Sequence, residues 1–234
     1  MMSQKQINLK EFADTLGVII DNIEEYQNKD SFLKCKCKNG HDISNTVECL
    51  LKTGFECIEC ISSQEKNIID NTPYFLSLDA ATYTTGMSIF NKEGQLLGHK
   101  ALVIEKRKDY FVRLQEIAQE IEKIVKQFNI KCVILEDIQY QQNPVLFKKL
   151  AMLQGVIRYL VVNILKIELI TAMADEWRSY SHIGGQKRQE QKLAAIQRAR
   201  LIYKEDISED ESESIFLGKF GISQYYNNQL YKED

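Results

Sequence analysis

Asp79 closes the apolar run 74–78, Glu136 closes 132–135, and Asp210 and Glu213 stand three residues apart near the C-terminus. A carboxylate that ends a buried strand is held rigidly at a sheet edge, and two carboxylates at i, i+3 share one helical face. Together the four can cage divalent cations. Hard oxygen ligands suit Mg²⁺ or Mn²⁺, and two ions in one site are the usual means of activating water against a phosphodiester. Taken singly, each acid has a plainer reading, as the start of a turn or part of a solvated helix face. The order of the surrounding segments argues for the cage: strand-end Asp, hairpin, helix, strand-end Glu, helix, strand, basic helix, acidic pair. The pattern predicts a metal-dependent nuclease.

A second constellation lies upstream. Cys37-x3-His41 is followed, after fifteen residues, by Cys57-x2-Cys60. Two short knuckles that each supply a ligand pair suit one tetrahedral Zn²⁺, and a module this small has too little core to stay folded without the ion. Cys35 can replace Cys37 as the first ligand, so the first knuckle has two readings. Cys49 and Cys132 lie among apolar neighbours and are expected in the core. His182 stands alone and is not expected to be a ligand.

These residues need elements to position them. Apolar residues from Ile7 to Ile23 recur at helical spacing, which predicts a helix over 7–30. The module follows at 34–62, then a polar linker at 63–73. Strands are expected over 74–81, 84–90 and 95–104, with a hairpin turn at Asn91–Gly94. A helix over 109–128 would bury Phe111, Leu114, Ile117, Ile121, Ile124 and Phe128. A strand at 131–136, a helix at 144–165 beginning with proline, a short strand at 167–172 and helices at 188–203 and 208–218 complete the chain. Three antiparallel strands followed by parallel strands that alternate with helices make a layered α/β fold. The expected division is thus an N-terminal helix over 1–33, the module, the linker, and one nuclease domain over 74–234.

At 234 residues and 44% hydrophobic, the chain can bury one full core and a small module besides. No apolar run reaches the ~18 residues of a membrane span, and the N-terminus lacks a secretory signal, so a cytoplasmic protein is expected, in a bacterium or a phage-infected cell. In that compartment the six cysteines are thiols, metal ligands or core residues. The net charge of −3 hides a segregation. Residues 178–204 carry seven cations, including Arg178, Lys187, Arg188 and Lys192, against the single acid Glu190, and 205–213 carry six acids. A basic strip beside an acidic cluster is what a phosphodiesterase needs. Lys148 and Lys149, on the polar side of the 144–165 helix, are expected to touch DNA backbone. Gly184-Gly185 either lets the preceding loop approach that backbone or is a connector, and Trp177 is expected to anchor packing.

The pieces LSLDAATYTTGMSIF, VILEDIQYQQN, QEQKLAAI and DESES resemble the RuvC branch of the ribonuclease-H-like superfamily, the Holliday-junction resolvases, over about residues 74–220. The resemblance implies a mixed sheet flanked by helices, with Asp79, Glu136, Asp210 and Glu213 as ligands for two Mg²⁺ or Mn²⁺ ions. It implies a catalytic role for Lys192 near the scissile phosphate and insertion of Tyr140 at the branch point of a four-way junction. It also implies a homodimer, because two symmetric nicks need two active sites, and a nick that carries a 5′-phosphate. The apolar face Leu146, Leu150, Leu153, Ile157 and Leu160 is long enough to serve both core and a two-fold partner. Two departures stand out: Glu213 occupies a position where Asp is usual, and Ala80-Ala81 replaces a common Pro-Gly. The phrase CKNGHDIS…LLKTGFECIEC resembles zinc fingers that accompany phage and mobile-element DNA enzymes, which implies roles in recombination or repair. The rival expectations are another ribonuclease-H-like nuclease, a transposase-like enzyme, or a DNA-binding protein whose catalysis has decayed.

Overall fold

The computed structural model describes residues 2–66, 70–139, 143–185 and 187–230. Ser3 starts α1 (Gln4–Thr15) with a capping box, its hydroxyl accepting from Gln6 N while Gln6 Oε1 accepts from Ser3 N. The helix expected over 7–30 stops far short of that. Gly17 at φ +68° turns the chain into β1 (Ile19–Ile20), which pairs antiparallel with β3 (Cys35–Lys36), while β2 (Phe32–Leu33) pairs with β4 (Asn45–Thr46). Two short helices follow, α2 (Val47–Lys52) and α3 (Ile58–Lys66). Leu9 and Ala13 of α1 share one buried cluster with Leu33, Cys35, Val47, Leu50 and Phe55. Residue 33 is therefore no boundary: α1 and the cysteine-rich segment form a single small unit. The expected linker at 63–73 is helical through Lys66, and Ser62 Oγ donates to Ile202 O at 2.8 Å.

The large unit is a five-stranded sheet of β5 (Pro73–Asp79), β6 (Thr84–Asn91), β7 (Leu96–Val103), β8 (Cys132–Glu136) and β9 (Glu168–Ala172), in the order β7-β6-β5-β8-β9. The first three strands run as an antiparallel meander, and β8 and β9 join parallel to β5. On one face lie α4 (Tyr110–Phe128) and α5 (Pro144–Tyr159), over Leu76, Leu78, Met87, Val133 and Leu135. The other face, with Phe75, Phe90, Cys132 and Ile134, receives α6 (Ala174–Tyr180), α7 (Arg188–Tyr203) and α8 (Glu209–Leu230). Among the described residues no helix is long and apolar enough to cross a membrane.

Side-chain alternation along the strands decides where the acids go. Asp79 has the parity of Phe75, and Glu136 that of Cys132 and Ile134, so both belong to the α8 face. The expected strands and long helices form, with three differences. Phe111 and Phe128 of α4 stay exposed, and Arg113 is buried in their stead. The helix expected over 144–165 breaks its α pattern at Tyr159 and ends in a π-helical turn, Leu160–Ile164. Helix α8 runs twelve residues beyond the expected Gly218, to Leu230.

Small residues let α8 lie close on the sheet. A Cβ at Gly218 would stand 2.3 Å from the Phe90 ring, one at Gly221 would stand 2.4 Å from Ile134 Cγ2, and Ser214 Oγ meets Ser88 Oγ at 2.6 Å. Gly218→Ala is expected to cost about 1–3 kcal/mol of unfolding free energy through overpacking. Gly98→Ala, whose Cβ meets nothing within 4 Å, is expected to be neutral or to gain about 0.4–1 kcal/mol. Urea unfolding of both variants checks the contrast.

Candidate active site and cysteine cluster

Asp79 and Glu136 end adjacent parallel strands, and α8 delivers Asp210 and Glu213 to the same sheet end. The start of α8 is fixed by a capping box in which Ser208 N donates to Glu211 Oε2 and Glu211 N donates to Ser208 Oγ. His99 of β7 holds Glu211 from the sheet side, with Nδ1 at 2.8 Å from its carboxylate and Nε2 at 3.1 Å from Glu205. Gly86 lies opposite Asp79 in the β5–β6 register, and a Cβ there would stand 1.9 Å from the Asp210 carbonyl oxygen. Only glycine allows Asp210 to settle beside Asp79. The role of Gly86, like that of His99, escapes sequence reasoning, because the close approach joins residues far apart in the chain.

A cleft of ≈ 320 Å³ opens at this end, lined by Asp79, Ala80, Ala81, Glu136, Gln154, Arg178, Arg188 and Gln191 among others. Burial raises the Asp79 carboxyl well above the usual carboxylate range, and the charges of Glu136, Glu213 and Asp210 add to this against the pull of Lys192. Burial likewise raises Glu136, opposed by a hydrogen bond from Trp177, and raises Asp210, with Glu209 adding to it. Trp177 is fully buried as expected, but its Nε1 also donates to Glu136 Oε2 at 2.7 Å. Arg178 turns inward: its Nη2 lies 2.9 Å from Glu213 Oε1, and Lys192 Nζ lies 4.0 Å from Glu213 Oε2 while pairing with Glu209. Lys187, Arg188 and Lys148 are exposed and Lys149 half-buried. Tyr140 lies outside the described residues.

The four carboxylates thus share one end of the sheet. Their oxygens are not drawn into one tight set, because Trp177 holds Glu136, Arg178 and Lys192 hold Glu213, and unneutralised carboxylates repel each other. An oxygen-only, acid-crowded donor set fits a hard divalent cation.

The ligand atoms of Cys37, His41, Cys57 and Cys60 do converge, all lying within 4.8 Å of one another. His41 Nδ1 is 3.2 Å from Cys60 Sγ, 3.5 Å from Cys57 Sγ and 3.6 Å from Cys37 Sγ. Gly40 at φ +84° makes the first knuckle's turn, where Cys37 N donates to His41 O and Gly40 N to Cys37 O. Glu59 stands 3.6 Å from His41 Nε2, and Asn39 Nδ2 donates to Cys60 Sγ. Of the two candidate first ligands, Cys37 joins the cluster. Cys35 is packed in the small core, where burial pushes its thiol up to about 11. Cys132 is buried in the large core.

The raised carboxyls have a consequence for stability. A carboxyl that holds its proton more tightly in the fold than in the unfolded chain makes the folded state bind more protons, so its contribution falls as pH rises from the ordinary range, about 4, through the raised folded values. In metal-free protein, Asp79→Asn is therefore expected to raise the thermal midpoint at pH 7, with the gain vanishing near pH 4. Mg²⁺ should stabilise the parent more than the variant. Calorimetry at the two pH values, with and without Mg²⁺, measures both effects.

The sequence matches no protein-family model and no curated protein. Among solved structures, the chain is similar to Thermus thermophilus RuvC in complex with Holliday junction substrate, at a TM-score of 0.52 and 11% identity over 67% of this chain and 94% of that one. A second T. thermophilus RuvC structure matches at 0.50 and 11% identity, over 67% and 95%. The yeast mitochondrial Holliday junction resolvase Ydc2 gives a TM-score of 0.46 at 13% identity, over 75% and 90%. At identities this low the likeness to the two T. thermophilus RuvC structures is one of fold. The sheet and its flanking helices have the RuvC-like form of the ribonuclease-H-like fold, joined to a small unit that carries a Cys/His cluster.

Proposed function

We propose that the protein is a metal-dependent endodeoxyribonuclease that nicks branched DNA, resolving four-way junctions as a homodimer. The observation that carries this reading is the gathering of four carboxylates from β5, β8 and α8 at one end of the sheet, beside a cleft lined by Asp79, Glu136, Arg178 and Arg188. Asp79, Glu136, Asp210 and Glu213 hold Mg²⁺ or Mn²⁺, which supply activation of water and stabilisation of the leaving oxygen when bound. Trp177 fixes one oxygen of Glu136 and leaves the other for a ligand. Lys192 offsets the charge of the cluster and of an incoming phosphate. Arg188 and Lys187, exposed at the start of α7, meet DNA backbone. The DNA bound in the first T. thermophilus RuvC structure supports a junction as substrate.

Dimerisation uses the groove between α4 and α5. Of the face expected to serve both core and partner, Leu153 and Ile157 are fully buried in the core. The groove is lined by Leu160 of that face together with Phe111, Met152, Val156, Tyr159 and Ile164, of which Phe111, Tyr159 and Ile164 are more than half exposed. An apolar surface of this kind fits a second copy of the same helices.

Cleavage of matched four-way, three-way, linear and RNA–DNA hybrid substrates with Mg²⁺ and with Mn²⁺ tests the activity. The expected result is paired nicks in the four-way junction, with Asp79→Asn abolishing cleavage and retaining binding. Equal cutting of linear duplex, or a preference for the hybrid, would instead favour a general ribonuclease-H-like nuclease.

Cys37, His41, Cys57 and Cys60 hold one structural Zn²⁺ in the same reading, with Glu59 orienting His41. Helix α3 is docked on α7 through Ser62, and Glu56 pairs with Arg198. Cys57→Ser with Cys60→Ser is expected to lose the ion and lower the thermal midpoint of the whole chain. Metal analysis of protein purified without chelator should find one zinc per chain, and its absence there would refute the site.

A further inference from the structure

Beside the cleft lies a group of cations that the carboxylate cluster does not use. Tyr83, in the turn that follows Asp79, stacks against Arg113 of α4, whose guanidinium carbon is 4.1 Å from the ring centre. The same carbon is 5.7 Å from the Tyr110 ring. Lys106 Nζ stands 5.8 Å from the Tyr83 ring and Lys149 Nζ 5.8 Å from the Tyr110 ring. Four separate parts of the chain therefore converge here: the β5–β6 turn, the segment after β7, the first turns of α4, and α5.

Arg113 is only 4% exposed, yet its Nε and Nη1 have no hydrogen-bond partner. Among the described residues, Lys106, Arg113 and Lys149 have no carboxylate within ion-pair distance. Two acids of this region are engaged elsewhere, Glu116 with Lys108 and Asp109, whose Oδ1 caps α4 through Phe111 N, while Glu105 is exposed to solvent. A hydrogen bond from Arg113 and the charge of its guanidinium, with smaller contributions from Lys149 and Lys106, hold the Tyr83 phenol below its ordinary range. A buried guanidinium with two idle donor nitrogens and no counter-ion is costly, and stacking on aromatic faces offsets only part of that cost. A tetrahedral anion carrying several acceptor oxygens would complete it.

The position says which anion. Ala80 and Ala81 of the same turn, and Leu150 next to Lys149, line the catalytic cleft. An anion bound at Arg113 therefore lies alongside whatever chain occupies the cleft. We propose that Tyr83, Lys106, Arg113 and Lys149 form a phosphodiester-binding subsite that grips the cleaved DNA strand beside the reacting phosphate, an inference that rests on the nuclease reading. Tyr83 is a positioning residue there: its ring holds the guanidinium flat.

The test uses the full chain carrying Asp79→Asn, which prevents cutting, and measures binding to a labelled four-way junction across a KCl series. Arg113→Met and Lys106→Ala are each expected to weaken binding, Arg113→Met by about tenfold, and to lower the salt slope by about one. Lys123→Ala, a cation farther along α4, should change neither. Neutral methylphosphonate placed singly along the cleaved strand should cost the parent affinity at one position near the nick and cost Arg113→Met nothing further there. Lys106 is exposed, so its variant stays informative if Arg113→Met fails to fold. Parent-like affinity and salt slope in Lys106→Ala and in any folded Arg113→Met overturn the subsite alone. Failure of the Asp79→Asn parent to bind the junction at all overturns the nuclease reading on which it rests.

Discussion

The separation between α8 and the sheet governs the site. Gly86, Ser88, Ser77 and Gly218 put almost no side-chain volume between the helix and the strands, so the start of α8 rests directly on the start of β6. That spacing brings Asp210 beside Asp79, two residues 131 positions apart in the sequence. A bulkier residue at Gly86 would meet the Asp210 backbone, which cannot rotate away as a side chain can. Close packing of this kind is intolerant of added volume, and here the intolerance falls on the geometry of the carboxylates.

The same closeness creates an electrostatic demand. Burial and mutual repulsion keep Asp79, Glu136 and Asp210 from ionising freely. The surrounding groups offset this unevenly: Trp177 gives Glu136 one hydrogen bond, while Glu213 receives both Arg178 and Lys192. Arg178, which reads in the sequence as part of a DNA-facing strip, is thereby drawn inward. The outward cations are left to the start of α7 and to Lys106 and Lys149, which lie around the Tyr83 and Tyr110 rings. On both sides of the cleft, positive charge lies next to the buried negative charge, an arrangement that attracts a polyanion while leaving room for a cation.

The cysteine-rich unit is part of this architecture. Its α3 packs on α7, the helix that brings Arg188 and Gln191 to the cleft and Lys192 to Glu209 and Glu213. Burial lowers the Arg198 guanidinium, and its pairing with Glu56 ties the two units together. Since α1 shares one small core with Leu33, Cys35, Val47, Leu50 and Phe55 of the cysteine-rich segment, the N-terminal region meets the α7 side of the large unit as one piece.

Local chemistry was legible in the sequence. The apolar runs that end at Asp79 and Glu136, the proline that opens α5 and the spacing of the Cys/His ligands all depend on near neighbours, and the corresponding elements form. The helix expected over 7–30 failed because apolar spacing continued past Gly17, whose positive φ turned the chain into strand pairing instead. Phe111 was expected in the core and is exposed, because the orientation of α4 over the sheet is set by partners distant in the chain. The choice of Cys37 over Cys35, the glycine under Asp210, the inward turn of Arg178 and the unpaired Arg113 were decided by tertiary structure. Each depends on how closely two remote segments approach, and residue order encodes that distance only through the packing of the whole.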